Sequence, residues 1–197
     1  MMKKYLLLFL TTLLFTTTFA QGPDKSAKGF FLAIGVGPRV PLGNLSNESK
    51  LGYGINAEIS YANSDQLPFF IFLKSGFETY PGSQDYYLNN NIANLSVNLI
   101  PVELGIRYYL PPLVKSEALL MPIVEAAATY GYFHTLRESK AGYKLMDFKE
   151  DKSRFGFSAG VGLSAFLLEI LASYNYFDQH QYLAVDLKVR YPIYVNY

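Results

Sequence analysis

The chain reads as an all-β protein, an eight-stranded antiparallel up-and-down transmembrane β-barrel, and three observations predict it. Segment after segment alternates apolar and polar side chains with period two, which gives a ribbon with one apolar and one polar face. No stretch after Gln21 reaches the roughly 18 to 20 consecutive apolar residues of a membrane helix, so any crossing falls to strands. The aromatic load is 17 Tyr and 15 Phe without Trp. Tyrosine joins an apolar ring to a wet hydroxyl, which suits the boundary between hydrocarbon and headgroups.

The front of the chain carries basic Lys3 and Lys4, an apolar run from Tyr5 to Phe15, then Thr18, Phe19 and Ala20. This is the pattern of an export signal cleaved after Ala20, too short to span a bilayer as a helix. Residues 21–28 form a short polar leader, and 29–197 the barrel domain. There is no cysteine, so a thiol-linked lipid anchor and disulfides are excluded, and burial and hydrogen bonding must hold the fold. Removing residues 1–20 leaves 15 basic against 16 acidic residues, a formal charge of −1. A near-neutral chain without a basic block lacks the footprint for nucleic acid.

The strands follow in order. The first, near Gly29 to Val40, sets Phe30, Leu32, Ile34 and Val36 opposite Ala33, Gly35 and Gly37. The second, Leu51 to Ala62, alternates Tyr53, Ile55, Ala57, Ile59 and Tyr61 with Gly54, Asn56, Glu58 and Ser60. The third, Pro68 to Tyr80, sets Phe69, Ile71, Leu73 and Phe77 against Lys74, Gly76 and Glu78. The fourth, Ala93 to Leu110, changes phase. Leu95, Val97 and Leu99 read as outward by odd count, and Val102, Leu104, Ile106 and Tyr108 by even count, which predicts a β-bulge at Ile100-Pro101. The fifth covers Ala118 to Phe133, and the sixth, Arg154 to Ala165, alternates Phe155, Phe157, Ala159, Val161 and Leu163 with glycine and serine. The seventh spans Leu168 to Phe177. The turn before it, Phe166-Leu167, lacks the usual Gly, Asn or Asp. The last, Leu183 to Tyr197, puts Leu183, Val185, Leu187, Val189, Tyr191, Ile193, Val195 and Tyr197 on one face and Asp186, Lys188 and Arg190 on the other. Its part up to Tyr191 matches the roughly nine to eleven residues of a tilted span.

Long polar links are expected after strands one, three and five, at 41–50, 81–92 and 134–153, with shorter links after strands two, four and six. Such alternation is expected of a membrane barrel with both termini in the periplasm. The less apolar faces together collect Glu58, Lys74, Glu78, Glu103, Arg107, Glu125, Arg154, Glu169, Asp186, Lys188 and Arg190. In a membrane barrel the polar side faces inward, and eight strands leave a lumen that side chains fill. A packed interior ion-pair network with no wide pore is therefore expected. An unpaired charge there would cost several kcal/mol. Tyr53, Tyr61, Tyr108, Tyr130, Tyr132, Tyr174 and Tyr191 are the candidate aromatic girdles.

The segment Leu99 to Tyr109 (LIPVELGIRYY), Pro122 in the next strand, Gly160-Val161-Gly162 and the aromatic-rich close resemble the small outer-membrane β-barrel domain family that includes PorT-like proteins, of general OmpA or OmpX type. Ala126 to Ala128, where relatives often have glycine, and Pro192, inside the last strand, depart from the pattern. The resemblance implies an integral outer-membrane protein, usually with no defined activity, or else an accessory component of a secretion or envelope machine; it does not imply catalysis, and no enzyme activity or cofactor is expected.

Other readings are weaker on chemical grounds. His134, Glu138 and Ser139 would make a lipid-modifying hydrolase triad only with geometry that a loop rarely supplies. His134 and His180 lie in different loops and do not make a zinc site. Gly35-Val36-Gly37 and Gly160-Val161-Gly162 lie inside strands with no helix following, so they are not phosphate loops. A soluble periplasmic ligand-binding barrel would have its faces inverted. The expectation is thus a monomeric structural or interaction protein of the bacterial outer membrane, touching lipid and meeting extracellular or envelope proteins through loops 41–50, 81–92 and 134–153.

Overall fold

Backbone N–H and C=O groups in an apolar surrounding need protein partners, and a ring of strands supplies them on both sides. The computed structural model describes residues 28–63, 67–84, 87, 92–113, 120–139 and 148–196. The expected export signal, almost all of the leader and the terminal Tyr197 lie outside these residues. The strands are β1 (Lys28–Leu42), β2 (Gly52–Asn63), β3 (Leu67–Pro81), β4 (Ile92–Tyr109), β5 (Leu120–Ser139), β6 (Phe148–Ala165), β7 (Leu168–Phe177) and β8 (His180–Asn196), with one helical turn, α1 (Asn44–Glu48), between β1 and β2. Each strand is antiparallel to its sequence neighbours, and β1 pairs with β8 to close the barrel. The eight-stranded up-and-down architecture is the one the alternation predicts.

The two surfaces are inverted relative to a soluble protein. On β2, Glu58 is 1% exposed and its neighbour Ile59 is 53% exposed. The same contrast runs round the ring, with Ile34, Leu73, Leu104, Val161, Ile170 and Leu187 outside and Lys74, Glu103, Arg107, Glu125, Glu169 and Lys188 inside.

Three expectations are corrected. β4 has no bulge at Ile100-Pro101: its pairing with β5 runs in unbroken register from Asn94 and Glu138 to Tyr109 and Ile123. Leu95, Val97 and Leu99 point inward and are buried. One end of the lumen is apolar, so polarity does not mark the inner face there. The bulge lies in β8 instead. Phe31 pairs with Pro192 but Phe30 with Tyr194, which skips Ile193 and lets the strand pass a proline that cannot donate to the ladder. Beyond it the faces swap, so Tyr194 is exposed and Val195 half-buried.

The loops are the third correction. Residues 134–139 and 148–153, expected in a loop, continue β5 and β6, paired as far as Arg137 with Phe148. β7 starts pairing with β6 only at Gly156, and β3 stops pairing with β4 at Ser96. A short sheet of β4, β5 and β6 therefore stands above the ring. The 41–50 segment holds α1, whose Leu45 is buried in the barrel mouth. The link after β4, residues 110–119, is as long as the 82–91 link after β3, so the expected alternation of link lengths is only partial. The β6 to β7 turn is a two-residue hairpin with Phe166 at φ 58°, and the β7 to β8 turn places Gln179 at φ 64°.

The lumen is layered. At the α1 end Leu45, Tyr80, Val97, Leu99, Phe133, Phe177, Tyr182 and Ala184 form an apolar cluster. At the opposite end Phe31, Phe70 and Tyr109 pack in series with tilted rings, their centroids 5.5 and 4.9 Å apart. Charged side chains occupy the layer between. Close approach requires glycine at Gly37, where an added Cβ would lie 1.7 Å from the Val185 carbonyl oxygen. Gly37→Ala should therefore force β1 from β8 and destabilise the barrel by roughly 1–3 kcal/mol, the range for overpacking; an unchanged urea midpoint in lipid vesicles would contradict the assigned contact.

Candidate functional site

The central layer is built from every strand. Alternation brings one to three charged or hydroxyl side chains per strand into a space too narrow for bulk water, so each charge must find a partner. Nearest the apolar cluster, Arg39 donates from Nε to Glu78 at 2.7 Å and from Nη2 to Asp186 at 2.8 Å. The Tyr80 hydroxyl donates to the other Glu78 oxygen at 2.7 Å, and Asn56 donates to Asp186 at 3.0 Å. Below, Lys74 lies 3.0 Å from Glu103, which also accepts from Ser158, and 3.8 Å from Glu125. Glu58 accepts from both terminal nitrogens of Arg107 at 2.7 and 2.8 Å, from Lys188 at 3.0 Å and from Arg190 at 2.8 Å. Arg107 also meets Glu125, and Arg190 bonds Glu169 and Ser60. Glu169 accepts in addition from Tyr109 at 2.6 Å.

Ten residues expected in the interior meet here, and Arg154 does not. Its strand parity is inward, but it lies at the α1 mouth, bonded to the Asp178 carbonyl and 5.8 Å from the Phe133 ring. Arg39 takes its place, so the layer still holds six acidic and five basic side chains. The signal for Arg39 is present in the sequence: it shares parity with Gly35 and Gly37. The cavity among these groups, beside Arg39, Asn56 and Glu103, is about 10 Å³, room for about one water. Fixed, mutually bonded charges of this kind tie strands together across the lumen. Among the described residues no His, Cys, Asp and Glu cluster has metal-binding spacing.

Above the apolar cluster the chemistry changes. His134 bonds Asp151 directly across from it on β6 at 2.5 Å, and Glu138 faces Asn94 at 3.5 Å. His134 and Glu138 are thus engaged separately; the Ser139 side chain is outside the described residues. The His134 contact, with a bond from Tyr132, holds the Asp151 carboxyl below its usual range. His180, at the start of β8, packs 4.7 Å from Phe133. Burial, then the positive Arg154 and Lys152 nearby, push its pKa down to about 4. Both glycine pairs lie within strands, in β1 and β6. Tyr53, Tyr130, Tyr132 and Tyr174 lie toward the α1 end, and Tyr61, Tyr108 and Tyr191 toward the other, all on outward-facing positions.

Neutralising Glu58 leaves three buried cations short of a counter-charge. Glu58→Gln should cost about 3–5 kcal/mol, as for a broken buried pair, whereas Arg154→Gln should cost less than about 1 kcal/mol, the scale of an exposed cation–π contact. Equal losses in urea unfolding would contradict the division between network and mouth. For His180 the folded pKa lies below the ordinary value of 6.5. The unfolded chain binds the proton first, so this contribution is full above about 6.5 and is lost as pH falls toward about 4. His180→Phe should flatten the stability profile across that window.

No family model matches the sequence, and a search of curated proteins finds no match. Among solved structures, the chain is similar to Neisserial surface protein A, with a TM-score of 0.55, 12% identity, and 84% of this chain and 98% of that one covered. It is similar also to a major outer membrane protein from Thermus thermophilus, with a TM-score of 0.52, 12% identity, and 84% and 99% covered. At this identity the likeness is one of fold, and the fold is that of the small eight-stranded outer-membrane β-barrels.

Proposed function

We propose that the chain is an integral protein of the bacterial outer membrane, exported by a signal cleaved after Ala20, that serves a structural or interaction role. One observation carries this reading: large aliphatic side chains are exposed all round the barrel while eleven charged side chains are buried within it. Water would reject such a surface, whereas hydrocarbon accepts it and requires the polar groups to turn inward. The tyrosines toward each end of the outer wall would lie at the two interfaces, their hydroxyls reaching the headgroups. The α1 end would face outward, with the raised β4, β5 and β6 sheet available to extracellular or envelope proteins. The paired charges and the aromatic layers at both ends favour a closed lumen, an anchor rather than a channel.

The cell fraction tests location. The protein should sediment with outer membranes, begin at Gln21 after processing, and require detergent for release; recovery in the soluble periplasmic fraction would end the proposal. Within a bilayer, Leu104→Arg should cost about 2–4 kcal/mol if that position lies near the midplane, and a variant that inserts and folds like the parent would show that the lipid face is misassigned.

A further inference from the structure

Of the cations with inward strand parity, Arg39, Lys74, Arg107, Lys188 and Arg190 each touch a carboxylate. Arg154 does not: its contacts among the described residues are the Asp178 carbonyl and the Phe133 ring. It lines a cleft of about 170 Å³ on the inner side of the raised sheet, with Arg137, Glu150 and Lys152 on the wall, Val97 and Phe133 below and His180 opposite. Lys152 pairs with Glu150, and Arg137 lies 3.8 Å from Glu48. These matched pairs leave the Arg154 charge as the surplus. The His180 ring lines the same cleft, and its Nδ1 is buried without a close side-chain partner, so a small ring rotation would bring a nitrogen to a ligand.

We propose that this cleft binds a small oxyanion of the phosphate-ester class, held by Arg154 and the His180 ring and flanked by Lys152. A guanidinium is always charged and presents several N–H groups in one plane, matching phosphoryl oxygens. Here a carbonyl and an aromatic ring fix it in advance, so little ordering remains for a ligand to supply. The apolar floor of Val97 and Phe133 suits a short hydrocarbon or aryl group on the ester. The volume is below the roughly 300 Å³ at which drug-sized sites begin, which sets the scale at one headgroup. His180 is held neutral first by burial, and the positive Arg154 and Lys152 that add to this effect also favour an anion. Because the strand residues that line the cleft share the inward parity of the barrel and not that of the lipid-facing wall, a soluble ester reaches it more directly than a phosphate of the surrounding lipid.

Phenyl phosphate and inorganic phosphate, titrated into the full mature barrel in detergent by calorimetry and by NMR of the histidine ring nitrogens, test the site. Saturable binding of phenyl phosphate, with a shift of the His180 signal, is expected. Arg154→Gln should weaken it about tenfold or more, the worth of one charge-assisted hydrogen bond, while Lys149→Gln, on the outer face, should leave it unchanged. Absence of saturable binding, an unmoved His180 resonance, or equal affinity in the Arg154 variant would overturn the proposal. Should Arg154→Gln fail to fold, Arg154→Lys retains the charge without the planar fork and should still bind more weakly; the parent's His180 shift decides independently. Repeating the titration in phosphatidylcholine vesicles with and without lipopolysaccharide identifies the source. Binding in both assigns the site to soluble esters, and binding lost only when lipopolysaccharide is present assigns it to a lipid phosphate.

Discussion

The fold turns on the demand that Glu58 makes of its neighbours. A carboxylate 1% exposed at the centre of a closed ring must be matched by cations, and here β4 provides Arg107 while β8 provides Lys188 and Arg190. Those contacts cross the lumen and do not follow the ladder. They connect strands that are not hydrogen-bonded neighbours, whereas backbone pairing links only adjacent ones. Through Arg107 and Arg190 the same set takes in Glu125 on β5 and Glu169 on β7. Lys74 of β3, between Glu103 and Glu125, joins the same set, Ser158 of β6 bonds Glu103, and a separate cluster through Arg39 includes β1.

Such a network is costly to assemble, because buried pairs recover their desolvation cost only with good geometry and full hydrogen bonding. Its value here is geometric. Side chains of fixed length and opposite charge penalise a strand slipped by one residue, since a slip sends every inward charge to the outer wall. The apolar layers above and below remove competing water, which strengthens the contacts between them. Ladder, ionic layer and aromatic layers therefore specify one register together.

The mouth follows a different rule. Where β5 and β6 rise beyond β7, inward parity no longer means enclosure, and side chains such as Arg154 and Lys152 meet solvent on one side. Polar residues there are free of the pairing demand imposed below. That difference separates the part of the molecule that holds the barrel together from the mouth, where the proposed interactions would lie on segments positioned by a rigid scaffold.

Sequence alone determined the strand count, the antiparallel ring and ten of the network residues, because period-two alternation is a local property and parity transfers directly to the two faces of a barrel wall. It fails where parity is inferred from polarity. Leu95, Val97 and Leu99 read as lipid-facing because they are apolar, but all three are buried inside, Val97 and Leu99 in the cluster with Phe133 and Tyr80. Arg39 is legible by its parity with Gly35 and Gly37, and Arg154 by parity looks interior; neither one's depth along the barrel axis is encoded in alternation. Only the tertiary structure decided those depths, the bulge that carries β8 past Pro192, and the burial of Leu45 from α1. Each depends on which residues of distant strands lie at the same height, and that is fixed by register and closure around the whole ring.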